Sequence, residues 1–158
     1  MSLNTDAIEA SGFFDPRYTC DLDNSSPELR WDNPPPGTAG FALVVEDPDA
    51  PHGLFTHWVV YQIPASIHHL PAGVPAQETL PNGIKQGINS FGKLGYGGPC
   101  PPIGHGVHRY IFRLYALKAL PEIPSRISRD QLLAAIEPHV ITTVELTGRY
   151  QRLFQKAG

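Results

Sequence analysis

Cysteine is scarce in this 158-residue chain: Cys20 and Cys100 are the only two. So few, so far apart, exclude a disulfide-dense secreted scaffold. The pair is expected to stay as two reduced thiols in a reducing compartment. Charge of one sign is lacking too, with 12 basic against 15 acidic side chains and a pI near 6.1. A nucleic-acid binder shows a basic excess gathered on one face, so no nucleic-acid partner is expected. Long apolar stretches are missing: no run approaches the roughly 18 residues that suggest a membrane span. Residues 1–11 carry neither a basic segment nor an apolar core, so no signal peptide is expected there. Together these absences predict a cytoplasmic protein without a transmembrane segment. Met1, Ser2 and Leu3 are assigned no role.

Glycine and proline, by contrast, are plentiful, at 15 and 17 residues. Punctuation that dense suits a mainly β domain with many loops better than a helical bundle. The run Phe41-Ala42-Leu43-Val44-Val45 reads as a central strand covered on both faces, ending in the loop Asp47-Pro48-Asp49-Ala50-Pro51. Residues 57–63 and 110–117 read as two more strands. Weaker ones are expected at 13–14, around 18–20 and at 150–154. The segment 64–107 has little periodicity, and loops that long are functional or disordered. Its Phe91, Tyr96 and the glycines at 95–98 favour a structured, functional loop. Ser128-Arg129-Asp130-Gln131 has the form of a helix capping box, followed by the stripe Leu132, Leu133, Ile136. Beyond Pro138, Val140, Ile141 and Val144 fit helical spacing, with Gly148 as a cap, although Val-Ile-Thr-Thr-Val fits a strand equally well. A second helix is the expectation. No repeat or linker divides the chain, so residues 1–158 are read as one domain.

Three clusters carry possible chemistry. In the Asp47–Asp49 loop, two carboxylates sit in a turn stiffened by two prolines; Asp-Pro pairs also form ordinary turns. His57 opens a strand, where a histidine is commonly structural, yet a nearby carboxylate favours its charged form. The third cluster is Gly95-Tyr96-Gly97-Gly98-Pro99-Cys100-Pro101-Pro102, leading to His108-Arg109-Tyr110. Its glycines permit close backbone approach and an anion-binding nest of N–H groups. Strand alternation puts His108 and Tyr110 on one face and leaves Arg109 on the other, free to pair with Asp49.

In this order the Asp-Pro-Asp-Ala-Pro loop, the following His57, and the Gly-Tyr-Gly-Gly-Pro-Cys-Pro-Pro run into His-Arg-Tyr resemble the phosphatidylethanolamine-binding (Raf kinase inhibitor-like) family. The compact spacing is most similar to its prokaryotic branch, and the likeness covers about three quarters of the chain. It implies a β-sandwich with a large central antiparallel sheet, a smaller second sheet and peripheral C-terminal helices. It also implies a pocket for phosphate, acetate or a phosphorylated headgroup, built from Asp47, Asp49, His57, Pro102, His108 and Tyr110. Gly98 and Cys100 join them as loop residues; Cys100 stands where animal members have glycine before the double proline. Residues of animal members implicated in kinase binding have no match here.

The expected function is therefore anion binding without catalysis, metal or cofactor. Asp47 is expected to raise the pKa of His57 or His108, so that an imidazolium, the Tyr110 hydroxyl and N–H groups of residues 97–100 hold the anion. The alternatives are a protein-interaction inhibitor or scaffold, docking a kinase or protease on the pocket rim, and a Cys–His or metal-dependent hydrolase. A homodimer is compatible with the family. Two local expectations are a cis Ala50–Pro51 bond and a His105 that faces solvent or a subunit neighbour rather than the pocket. His52, His68, His69 and His139 are taken as surface or structural groups.

Overall fold

A strand whose apolar run, here residues 41–45, offers nothing to solvent on either face must be covered twice. Gly40–Asp47 (β3) is that strand, and every residue in it is buried. In the computed structural model, which describes residues 1–153, it lies at the centre of a five-stranded antiparallel sheet. Phe55–Pro64 (β4) flanks it on one side and His108–Leu117 (β7) on the other. Lys85–Gln86 (β6) and Val140–Tyr150 (β8) form the edges. A smaller antiparallel sheet joins Ser2–Asn4 (β1), Leu29–Asp32 (β2) and His69–Leu70 (β5).

The two faces of β3 serve two cores, as period-2 alternation requires. Phe41, Leu43 and Val45 pack with Trp58, Val60, Phe112 and Leu114 of the large sheet and with Leu3, Leu29, Trp31 and Leu70 of the small one. Ala42 and Val44 turn the other way, against Val59, Tyr61, Leu132 and Ile136. The last two belong to Arg129–Ile136 (α1), whose Ser128–Gln131 capping box is formed in both directions. Truncating a core aromatic such as Phe112 to alanine leaves a cavity costing about 3–5 kcal/mol.

Several expectations are corrected. The second helix does not exist. Pro138 ends α1 in a single 3₁₀ turn, Glu137–His139, and the β-branched run then pairs along β7, from Leu117↔Val140 to His108↔Tyr150. Alternating half-buried and exposed residues in β8 show why a strand prevails: only one of its faces has a core to meet. Residues 13–14 make isolated bridges, residues 16–18 a 3₁₀ turn, and Tyr150 ends β8, while the rest of the 150–154 stretch includes Phe154, outside the described residues. Ser2 and Leu3 are not idle but pair in β1, with Leu3 in the core. Among the described residues no peptide bond is cis, so Ala50–Pro51 is trans. The two cysteines are not free thiols: Cys20 and Cys100 form a disulfide across a sequence separation of 80. Pairing of this kind withdraws the thiol argument for a reducing compartment. No helix among the described residues is long and apolar enough to cross a membrane.

Candidate functional site

The end of the large sheet where β3 stops and β7 begins is where polar residues enter the core. Asp47 is the last residue of β3, on the same face as Val45; His108 and Tyr110 share the corresponding face of β7 with Phe112. A bulge completes the set. Val45 pairs with Trp58 and Glu46 with Thr56, so His57 is the extra residue between them. Bulges re-aim side chains, and here the His57 ring meets Tyr110 edge-on at 5.2 Å. Strand alternation alone would have pointed it away from Tyr110.

Each polar group has a defined partner except one. Asp47 accepts the Asp49 backbone N–H on Oδ1 (2.7 Å) and the His108 Nδ1–H on Oδ2 (2.6 Å). The other nitrogen of His108, Nε2, lies 2.7 Å from Nδ1 of His105, so one proton bridges the two rings. His57 Nδ1 donates to the Gly97 carbonyl at 2.6 Å; a carbonyl only accepts, which fixes the hydrogen on Nδ1 and leaves Nε2 as the remaining nitrogen. The Tyr110 hydroxyl is buried and no well-formed hydrogen bond satisfies it among the described residues, although the Asp47 carboxylate lies close enough to act on it. Burial first, and then the nearby Asp47 charge, push its pKa far above the ordinary phenol value.

These groups floor a cavity of about 460 Å³. Of the residues singled out in the sequence, Asp47, His57, Cys100, Pro102, His108 and Tyr110 line it. Asp49 and Gly98 stand outside. Asp49 is turned to Arg109 in a two-point ion pair, with Nε at 2.9 Å and Nη2 at 2.8 Å, which holds its carboxyl down at about 2. Arg109 takes the face opposite His108 and Tyr110, as alternation requires. Gly98 is buried where an added Cβ would lie 2.3 Å from the Tyr18 carbonyl, so its role is close packing. Two amides of the expected nest are spent internally: Gly97 N–H donates to the His57 carbonyl and Gly98 N–H to Asn24 Oδ1.

Two further expectations change. Asp47 does not hold His57 charged. Loss of hydration drives the His57 pKa down to about 4, outweighing the Gly97 carbonyl and the Asp47 charge, and His57 is neutral at pH 7. His105 is exposed as expected, yet it touches the site through His108. His52, taken as a bystander, lines the cavity, together with Leu54, Phe55, Ser90 and Phe91. Those residues follow the Asp47–Pro51 turn or sit in the long loop. Phe91 marks its loop as functional; for the others the sequence signal is proximity to the motifs.

The geometry defines a two-sheet protein with a ligand-sized cavity at the sheet's end, polar at its floor and apolar at its walls. Comparisons carry this further. Residues 4–151 match the model of the phosphatidylethanolamine-binding protein family. A UPF0098 protein of Methanothermobacter thermautotrophicus is 45% identical over 152 residues, which span 96% of this chain and 99% of that one. The crystal structure of Escherichia coli YbcL, described as a member of the mammalian PEBP family, superposes with a TM-score of 0.86 at 34% identity, covering 95% of this chain and 97% of that one. A PEBP homologue of Chlamydia trachomatis gives 0.84 at 33% identity, covering 95% and 96%. The chain belongs to the phosphatidylethanolamine-binding protein family.

Proposed function

We propose that the cavity binds a small oxyanion, a phosphate or the phosphate of a phosphorylated small molecule or headgroup, without chemical turnover. The observation that carries this reading is the orphaned Tyr110 hydroxyl. A buried, unpartnered donor costs about 1–3 kcal/mol, and this one shares a cavity with His57. A ligand oxygen accepting from Tyr110 recovers that cost.

Neutral His57 presents an accepting Nε2, not a donor. The ligand must therefore bring a proton of its own or have one taken up with it. A phosphate monoester, whose second pKa lies near 6, satisfies this as the monoanion: its P–OH donates to Nε2 while another oxygen accepts from Tyr110. Asp47, an anion that only accepts, offers nothing to the ligand's unprotonated oxygens; it orients His108. Charge-assisted hydrogen bonds of about 1.5–3 kcal/mol each, over two contacts, sum to about 3–6 kcal/mol, a Kd from several millimolar down to roughly tens of micromolar for bare phosphate. Binding rather than catalysis also fits the pairing of Cys100, which removes the nucleophile from a Cys–His hydrolase.

Calorimetric titration with inorganic phosphate at pH 6 tests the assignment. Wild type is expected to bind, and His57→Ala and Tyr110→Phe to bind at least tenfold more weakly. Equal affinity in all three would overturn it. A kinase or protease docking on the rim is the second reading, favoured by the exposed apolar side chains of Leu54 and Phe91 at the cavity wall. Phosphate would compete with such a partner if the two share the site.

A further inference from the structure

Cys100 is both half of the disulfide and part of the cavity wall. The two sulfurs do not have the same surroundings. Nη1 of Arg152 lies 3.6 Å from Cys100 Sγ. Cys20 is instead followed directly by Asp21, the carboxylate that accepts from Arg152 Nε at 3.1 Å and from the Tyr150 hydroxyl. Both cysteines are partly exposed, so the bond is within reach of a small thiol.

We propose that Cys20–Cys100 is a thiol-exchange site of fixed polarity, at which a low-molecular-weight thiol adds to Cys20 and releases Cys100 as a thiolate in the cavity wall. The incoming thiol loses its proton to solvent, and its sulfur forms a new S–S bond with Cys20 Sγ. The electron pair of the old bond leaves with Cys100 Sγ. A second thiol, its proton likewise lost to solvent, attacks the incoming group's sulfur and forms the small-molecule disulfide, and the electron pair of the mixed disulfide leaves with Cys20 Sγ, which takes a proton back from solvent. Two thiols are oxidised and one protein disulfide is reduced, so electrons balance.

The polarity follows from charge. The better leaving sulfur is the one whose thiolate is better stabilised, and a guanidinium stabilises Cys100 while the chain neighbour of Cys20 is a carboxylate. The other ionisable groups facing the cavity are Asp47, His52, His57 and His108; Arg152 is the cation whose Nη1 lies at the Cys100 sulfur, so it is the one assigned to act there. Freed, Cys100 is a nucleophile and a modification site in the wall of the binding cavity. If the anion reading above holds, a thiolate there also weakens anion binding.

Native oxidised protein is incubated with glutathione and trapped with iodoacetamide, and its peptides are mapped by mass spectrometry. The expected product carries glutathione on Cys20 and the alkyl group on Cys100. The opposite distribution overturns the proposal, as does a bond that yields only after denaturant is added. In the reduced protein, the alkylation midpoint of Cys100 is expected about one pH unit below the ordinary thiol value near 8.5. Arg152→Gln should restore the ordinary midpoint and Arg152→Lys should keep it lowered; no change in Arg152→Gln, with its circular dichroism intact, contradicts the assigned role of the guanidinium. None of these readouts uses phosphate. Absence of phosphate binding in both redox states would therefore sink the anion reading and leave the exchange site standing.

Discussion

Replacing both cysteines by serine removes the one covalent link between the N-terminal segment and the cavity wall. Its size follows from the loop it closes. For a sequence separation of 80, the chain-entropy relation gives about 4.5 kcal/mol of stabilisation at 25 °C, through restriction of the unfolded chain. Serine is nearly isosteric and both positions are partly exposed, so little packing loss is added. An unfolding entropy of about 2.1 cal/mol/K per residue converts that energy into a fall in Tm of about 13 °C. Thermal unfolding of wild type, of wild type with a dithiol reductant, and of Cys20→Ser/Cys100→Ser measures it. The last two should agree, and their urea m-values should exceed that of the oxidised protein, because the uncrosslinked chain exposes more surface. A loss under 3 °C in the double variant would refute the reasoning, and so would reduced protein as stable as oxidised.

Tyr110→Phe should weaken phosphate binding about 10- to 150-fold, the worth of one charge-assisted hydrogen bond, while leaving the protein at least as stable because a buried orphan is removed. His57 carries a pH signature in stability. Its folded pKa, about 4, lies below the ordinary 6.5, so the unfolded chain binds more protons in between. Stability is then full above pH 6.5 and lost as pH falls toward 4, by about 3 kcal/mol. Denaturation at pH 7 and pH 4.5 should show a loss in wild type that His57→Gln lacks. Glu46→Gln should destabilise by about 1–3 kcal/mol, since Glu46 is buried between the guanidinium groups of Arg113 and Arg129, which keep Glu145 and Asp130 as second partners; chemical unfolding measures it. Asp49→Ala, which removes the pair with the exposed Arg109, should cost under about 1 kcal/mol in the same assay.

Three strands of the large sheet, β3, β4 and β7, were readable because their cores impose them. The apolar run from Phe41, buried on both faces, has no other low-energy state, and the Ser128 capping box marks its own helix. β8 was missed for a physical reason: Val140, Ile141 and Val144 satisfy helical spacing and β-branched preference alike, and only the free edge of β7 decides between them. The shared face of His108 and Tyr110 follows from alternation. The inward turn of His57 does not, since it depends on a bulge set by pairing with β3. Nor could sequence show that desolvation outweighs the Asp47 charge at His57, that the Gly97 and Gly98 amides are already spent, or that residues 20 and 100 meet. Each depends on distances that only the folded chain creates.

A crystal structure grown with phosphate tests the central claim most directly. The account predicts an anion on the cavity floor, with one oxygen at hydrogen-bond distance from the Tyr110 hydroxyl and another at His57 Nε2, and with the Asp47–His108 pair unbroken. Phosphate bound elsewhere with only water beside Tyr110, or a Tyr110 hydroxyl partnered by a protein group, would contradict it.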